Sequence, residues 1–170
     1  MSSGTEDERA SRCALGLLLA ALAACQPTVR PEPATSARIV RASPAEAEAR
    51  AAALLRALGF TVTEFTSTAV PTLRGELAGG VDPAWAYCPG IWTTDPFSDL
   101  GQSRFVQAAG RRAVVLVRAS GLPQGTSVEV DLQTIGLYPH AFTGDTVEAV
   151  CDSTGLLERR ILDAAADGPA

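Results

Sequence analysis

The spacing of apolar residues changes twice along this chain, and no other feature constrains the fold as strongly. Apolar residues recur at helical spacing between Ser43 and Leu58, where Ser43-Pro44-Ala45-Glu46 has the pattern of a capping box with proline at the first helical position. Several segments between Phe60 and Gln133 have a spacing of two, as in half-buried strands, and turn-forming or irregular residues lie between them. Helical spacing returns over residues 156–162. The chain is therefore predicted to fold as a helix, several strands and a final helix.

The segments with a period of two predict an antiparallel sheet. Residues 60–66 are expected to pair with residues 73–77 through a turn at Pro71, and residues 105–108 with residues 113–117 through a turn at Gly110. Residues 127–133 form the clearest half-buried strand. Because the turns are short, the predicted fold class is α+β, with an antiparallel sheet of about four to six strands flanked on one face by an N-terminal and a C-terminal helix.

Near its start the chain has an apolar segment that is too short to cross a bilayer as a helix. Residues 13–24 carry no charge and end in Leu22-Ala23-Ala24-Cys25. A run of about 12 residues has the length of a signal-peptide core, whereas a membrane-spanning helix needs about 20. An apolar run that ends in small residues before a cysteine and is followed by a proline-rich stretch is typical of a processed precursor. The other interpretation is a buried apolar helix of a cytosolic protein.

This segment resembles the lipobox of bacterial lipoproteins. The resemblance implies cleavage between Ala24 and Cys25, attachment of a diacylglyceryl group to the Cys25 sulfur, and stable anchoring once a further acyl chain is added. Gln26 follows the cysteine where aspartate is the inner-membrane retention signal. The resemblance therefore implies a lipid-anchored envelope protein, at the periplasmic face of the outer membrane if the host is Gram-negative.

The same resemblance divides the chain into three parts. Residues 1–24 are the expected signal peptide, residues 25–42 the lipidated cysteine with a proline-rich tether, and residues 43–170 a single α+β domain. The 146 residues left after cleavage of the 170-residue chain are enough for one domain with a real core.

Cysteine usage follows from the implied compartment. Cys13 leaves with the signal peptide and Cys25 is lipidated, so Cys88 and Cys151 remain as a matched pair. In an oxidising compartment such a pair is expected to form a disulfide. The alternative is two buried free thiols.

Composition excludes several function classes. All 14 basic residues are arginine, so chemistry that depends on a Schiff-base lysine or a P-loop lysine is excluded. The net charge of −5 becomes −4 after the signal peptide, with three acids and two arginines, is removed. An acidic chain without a basic cluster does not predict nucleic-acid binding.

No motif predicts a catalytic residue, a cofactor or a metal site. His140 is the single histidine, and no Gly-x-Ser-x-Gly elbow is present. Cys88, Cys151, His140 and Asp152 lack the ligand spacing of a zinc site. Two carboxylate pairs also have simpler explanations, since residues 95 and 99 lack a calcium-loop pattern and residues 129 and 131 lie on the wet face of a strand. The chain is therefore expected not to be an enzyme.

An aromatic cluster is the strongest candidate for an interaction surface. Four of the nine aromatic residues fall within 13 positions around Cys88, namely Trp85, Tyr87, Trp92 and Phe97. Tyrosine and tryptophan are favoured at interfaces, although a satellite core beneath the disulfide would also explain the cluster. The sequence thus favours a non-enzymatic accessory component of an envelope complex with a protein partner. The alternative is a module that binds a small ligand, a glycan or a peptide through the aromatic region 85–97.

The lipobox predicts the behaviour of a single variant. Cys25→Ala removes the acylated sulfur, so we expect an unprocessed precursor or a soluble protein in place of a membrane-bound lipoprotein. Cell fractionation and intact-mass measurement check this, with Cys13→Ala as the matched control that keeps processing. A normally processed, membrane-bound Cys25→Ala protein would contradict the lipoprotein interpretation.

Overall fold

The computed structural model describes residues 36–67 and 70–167, and its fold is α+β, as predicted from the changes in period. The predicted signal peptide, Cys25 and most of the predicted tether lie outside these residues. Within them are two α-helices, nine β-strands and a short 3-10 helix at Pro83–Trp85. The helices are α1 (Pro44–Ala57) and α2 (Leu156–Asp167), and the strands are β1 (Ala37–Val40), β2 (Thr61–Ser67), β3 (Val70–Leu77), β4 (Ala86–Tyr87), β5 (Ile91–Thr94), β6 (Ser103–Val106), β7 (Gly110–Leu122), β8 (Gly125–Pro139) and β9 (Thr146–Ser153).

Seven of the described strands form one antiparallel sheet, against the predicted four to six. Its order is β2-β3-β7-β8-β9-β4, and β1 also pairs with β8. Strand β8 pairs with β7 from Gly125 opposite Leu122 to Leu137 opposite Gly110. Its other edge is shared, because residues 126–129 pair with β1 and residues 134–139 pair with β9.

The sheet begins earlier in the chain than the sequence predicts. Strand β1 lies within residues 25–42, which were expected to be tether, and the Val130 N–H donates to the Ser36 carbonyl at 2.6 Å. The sequence pattern missed β1 because it is only four residues long and three of them are exposed. Proline content and the lack of apolar periodicity therefore gave no sign of this strand.

Two apolar clusters lie along the inward face of β8. Its even-numbered residues are buried almost throughout, from Thr126 to Tyr138. The first half of the strand contributes Val128 and Val130 to a large core that also contains side chains of both helices. The second half contributes Tyr138 to a smaller cluster with Ala86, Cys88 and Cys151. The two halves of β8 therefore contribute side chains to two separate apolar clusters.

Helix α1 has the predicted N-terminus. The Ser43 side chain accepts from the Glu46 backbone, and the Glu46 carboxylate accepts from the Ser43 N–H at 2.9 Å. Leu58 is the C-cap of the helix, and Gly59 directly after it has a left-handed φ of +88°. The Phe60 N–H then donates to the Leu55 carbonyl at 3.0 Å. This places Phe60 in the core, where it is buried.

Three strand predictions need correction. Strand β6 pairs with β5 in a separate two-stranded sheet, whereas residues 105–108 were predicted to pair with residues 113–117. Pro71 lies inside β3, opposite Thr66, and does not form the turn. The sequence also missed β9 and assigned residues 151–153 to a helix cap. In all three cases a strand pairs with its neighbour in the sequence, and the alternation of apolar residues misplaced the turn or the strand ends.

The described helices do not include one that is long and apolar enough to cross a membrane.

The two cysteines of the domain are joined. Their Sγ atoms lie 2.01 Å apart, which agrees with the predicted disulfide between Cys88 and Cys151. Both side chains are buried, and the Arg111 Nε–H donates to the Cys88 sulfur at 3.2 Å. The disulfide connects the segment that follows β4 to strand β9 at the centre of the smaller cluster.

The disulfide joins cysteines 63 positions apart in the sequence, so the effect of its removal on stability should be measurable. Cys88→Ser is expected to lower the free energy of unfolding by about 2–4 kcal/mol, because the unfolded chain gains freedom. Denaturant unfolding in oxidising buffer checks this, with wild type and variant under reductant as the control pair that should coincide. Equal stabilities in oxidising buffer would show that the disulfide contributes nothing.

Candidate functional site

Strands β5 and β6 form a hairpin that stands apart from the main sheet. In its register Trp92 lies opposite Phe105 and Thr94 lies opposite Ser103, and residues 95–102 form the connecting loop. We call residues 91–106 the aromatic hairpin.

The loop of the aromatic hairpin is ordered by its own hydrogen bonds. The Asp95 N–H donates to the Gln102 carbonyl at 2.8 Å, and the Asp95 carboxylate accepts from the Phe97 N–H at 2.9 Å. The Gly101 N–H donates to the Ser98 carbonyl at 3.1 Å, with Gly101 in the left-handed region at φ +60°. Aspartate, proline, serine and glycine are the residues that such turns require, so the sequence of the loop specifies its shape.

The aromatic hairpin exposes large apolar side chains to an unusual degree. Its four exposed members are Trp92 at 69%, Phe97 at 85%, Leu100 at 85% and Phe105 at 51% of their full accessible area. The Trp92 and Phe105 rings lie side by side, with centroids 5.4 Å apart. Single exposed apolar residues are common on protein surfaces, but several on one small element indicate an interaction site.

Several contacts fix the aromatic hairpin to the end of β8. Thr93 is buried, and its hydroxyl accepts from the Ala141 N–H at 3.3 Å. Just before the hairpin, the Pro89 carbonyl accepts from the fully buried Tyr138 hydroxyl at 2.7 Å. A Cβ atom at Gly90 would lie 2.1 Å from the Phe105 ring, so only glycine allows this ring to pack here. The exposed side chains are therefore carried on a pinned element.

The structure separates the four aromatic residues that the sequence grouped together. Trp85 is only 9% exposed and stacks against Phe60 in the large core, with ring centroids 6.1 Å apart. Tyr87 is exposed on β4, whereas Trp92 and Phe97 are both exposed on the aromatic hairpin. Trp85 thus lies outside the candidate surface.

Two members of the aromatic hairpin were missed by the sequence analysis. Phe105 was assigned to a strand paired with β7, and Leu100 lies in a segment that was interpreted as irregular loop. The sequence did contain a signal for an exposed apolar surface. Phe97 and Leu100 are large apolar residues, and the residues around them in the loop are turn-forming and polar.

The aromatic hairpin carries few charges. Asp95 and Asp99 lie in its loop, and Arg104 lies on β6. The Arg104 guanidinium stands 5.2 Å from the centre of the Phe142 ring, in the geometry of a cation–π contact. His140 lies in the adjacent turn, where its Nδ1 accepts from the N–H groups of Phe142 and Thr143. His140 thus organises a turn in the structure.

A second group of interest is the buried carboxylate of Glu158. The Ser153 hydroxyl donates to its Oε1, and Ser153 Oγ also accepts from the Gly155 N–H at 3.0 Å. Its Oε2 has no hydrogen-bond partner among the described residues. Glu158 lies in the first turn of α2, where the positive end of the helix dipole favours a carboxylate. This arrangement stabilises the start of a helix.

A shallow groove of about 420 Å³ lies where α1 begins. It is lined by residues 44, 45 and 48 of α1, by residue 71 of β3 and by residues 119–121 of β7. The Glu48 Oε1 is buried without a hydrogen-bond partner. Burial raises the pKa of Glu48 above its ordinary value, and the negative charge of Glu64 raises it further, whereas a hydrogen bond from the Ala119 backbone acts in the opposite direction.

The described residues contain no group of three or more His, Cys, Asp or Glu side chains arranged to hold a metal ion. Of the four zinc-ligand candidates considered from the sequence, Cys88 and Cys151 bind each other.

Comparison with known proteins assigns no family. The chain matches no protein-family model, no curated protein and no solved structure.

The raised pKa of Glu48 predicts a pH-dependent gain in stability for Glu48→Gln. A group whose pKa is higher in the folded state destabilises the fold above that pKa, and this cost disappears as the pH falls below the ordinary glutamate value. The variant should therefore unfold at a higher temperature than wild type at neutral pH, and the difference should shrink in acid.

Glu46→Gln provides the matched control, because hydrogen bonds from the Ser43 backbone and side chain lower the pKa of Glu46. That variant should be less stable than wild type at neutral pH. Thermal melts between acid and neutral pH distinguish the two variants. A Glu48→Gln variant that is less stable than wild type at neutral pH would contradict a raised pKa of Glu48.

Proposed function

We propose that this protein is a lipid-anchored envelope protein without enzymatic activity, and that the aromatic hairpin is the element through which it docks. In this role it is an accessory component of the envelope. Acylated Cys25 holds the chain at the membrane, and the folded domain presents the aromatic hairpin to its partner.

One observation carries the docking role. Trp92, Phe97, Leu100 and Phe105 project into solvent from one hairpin, and the hairpin is pinned by Thr93 and Tyr138 instead of folding back onto the core. Exposing so much apolar surface costs solvation free energy that burial against a partner would recover. Rigid presentation also reduces the conformational entropy lost on binding.

The anchor and the aromatic hairpin support each other in this proposal. A lipidated Cys25 confines the domain to a thin layer at the membrane, which raises the effective concentration of any docking partner in that layer. Weak docking by a small apolar patch then becomes sufficient, because the chain does not diffuse away. A patch of four side chains fits such an assisted contact better than a free-standing high-affinity interface.

The alternative of a ligand-binding module has less support. Ligand binding through the aromatic region would be supported by a pocket lined by Trp85, Trp92 and Phe97. In the structure Trp85 is buried against Phe60, whereas the other two rings face solvent. The aromatic rings therefore form a projecting surface, which suits docking better than enclosure of a small molecule.

Site-specific photocrosslinking in cells tests the docking role. A benzophenone amino acid in place of Phe97 should give a discrete adduct, because the docked side chain lies within bonding distance of its partner. The matched control is the same replacement at Leu122, an exposed apolar residue at the opposite end of β8.

A Trp92→Ala, Leu100→Ala background should abolish the adduct at position 97 and leave expression unchanged. If position 97 gives no more adduct than position 122, the aromatic hairpin is not a docking element.

A further inference from the structure

We infer that the aromatic hairpin docks onto the lipid bilayer that anchors the chain, by inserting Trp92, Phe97, Leu100 and Phe105 into its interfacial region. This inference rests on the proposed function, since it takes Cys25 to be acylated. It names the partner of the aromatic hairpin as phospholipid, and it gives the domain a second membrane contact.

The chemistry of the aromatic hairpin suits the membrane interface. Tryptophan is enriched at the level of the lipid headgroups, where its ring is in an apolar environment and its N–H can reach water. Phe97 and Leu100, the two most exposed side chains, lie in the loop, and Trp92 and Phe105 lie behind them on the paired strands. This order would place purely apolar groups deepest and the amphipathic ring nearer the surface.

Several backbone N–H groups of the loop already have hydrogen-bond partners, which favours a partly apolar environment. Insertion of unpaired N–H groups into a bilayer is costly, because no water is present to satisfy them. In this loop the N–H groups of Asp95, Phe97, Leu100 and Gly101 all donate within the loop itself. Pro96 has no N–H to satisfy. These four N–H groups therefore need no water when the loop enters the interface.

The charges of the aromatic hairpin limit its depth and its lipid preference. Asp95 and Asp99 keep the loop from entering the hydrocarbon core, because a carboxylate is expensive there. The Arg104 side chain is held over Phe142, and the whole chain has no lysine. Without a basic cluster there is little attraction to anionic lipid, so insertion depends on apolar contact and should be insensitive to salt.

The length of chain between Cys25 and the sheet is sufficient for both contacts. Ser36 lies beside Val130, because the Val130 N–H donates to the Ser36 carbonyl. From Val130, beside Ser36, to Pro139 the strand spans about 30 Å. Cys25 precedes Ser36 by 11 residues, a length that reaches up to about 36–40 Å when extended. The 11 residues are therefore at least as long as the distance from Ser36 to the β8 end beside the aromatic hairpin.

The two tryptophans make the inference directly testable. Trp92 lies in the aromatic hairpin and Trp85 is buried in the core, so Trp85→Phe leaves Trp92 as the only indole, and Trp92→Phe leaves Trp85. The full-length protein is expressed so that Cys25 is acylated, and it is then reconstituted into phosphatidylcholine vesicles with or without bromine on the acyl chains. If Trp85→Phe fails to fold, the emission of Trp92 is obtained by subtracting the fluorescence of Trp92→Phe from that of wild type.

We expect the Trp92 emission to shift to the blue in vesicles and to be quenched when the acyl chains carry bromine. Salt should not change this quenching, and the Trp85 emission should not be quenched. Phe97→Ser with Leu100→Ser should restore the Trp92 signal, whereas Leu122→Ser should not. A protein that floats with the vesicles but keeps full Trp92 emission overturns the inference, because the aromatic hairpin then faces water or a protein. A protein that does not float overturns the lipid anchor itself, and the inference with it.

Discussion

The pairing of β7 with β8 is the interaction on which the rest of the structure depends. Strand β8 is 15 residues long, and β7 covers one of its edges over nearly the full length. The other edge is divided between β1 and β9, so elements from both ends of the described chain attach to the same strand. One continuous strand thereby joins two apolar clusters that otherwise have separate compositions.

This division explains where the candidate docking element lies. The first half of β8 belongs to the core that includes the helices, which is an ordinary α+β arrangement. The second half offers Tyr138 and the region near the disulfide, and there the chain packs residues 86–91 and the base of the aromatic hairpin. Because this smaller cluster encloses the base alone, the tip of the aromatic hairpin remains in solvent. The exposed side chains are thus a consequence of how little core lies at that end of β8.

The sequence predicts features of single elements and misses several of the pairings between strands. The capping box at Ser43, the glycine that ends α1 and the alternation in β8 depend on neighbouring residues, and each is present. The addition of β1 to the sheet depends on a partner far along the chain, which no local pattern encodes. The pairing of β6 with β5 is local, but the loop between them was interpreted as irregular, so the hairpin was missed. The disulfide between Cys88 and Cys151 was accessible because the two cysteines had no other role once the first two were assigned.

The candidate surface shows the same limit at the level of single side chains. Trp85 and Trp92 lie close together in the sequence near Cys88, so composition could not separate them. The structure does so because the short helix at Pro83–Trp85 turns Trp85 toward Phe60, whereas Trp92 lies on a strand with no covering element. The exposure of each side chain depends on which element packs over it, and that packing is tertiary structure.

The most direct test of this account is native-state amide hydrogen exchange on the oxidised protein, comparing the two halves of β8. If the strand joins both clusters into one cooperative unit, the slowest amides of residues 126–130 and of residues 134–138 will require the same opening free energy, and amides of the aromatic hairpin will exchange faster. If residues 134–138 open at a lower free energy while residues 126–130 stay protected, the two clusters are independent and β8 does not unite them.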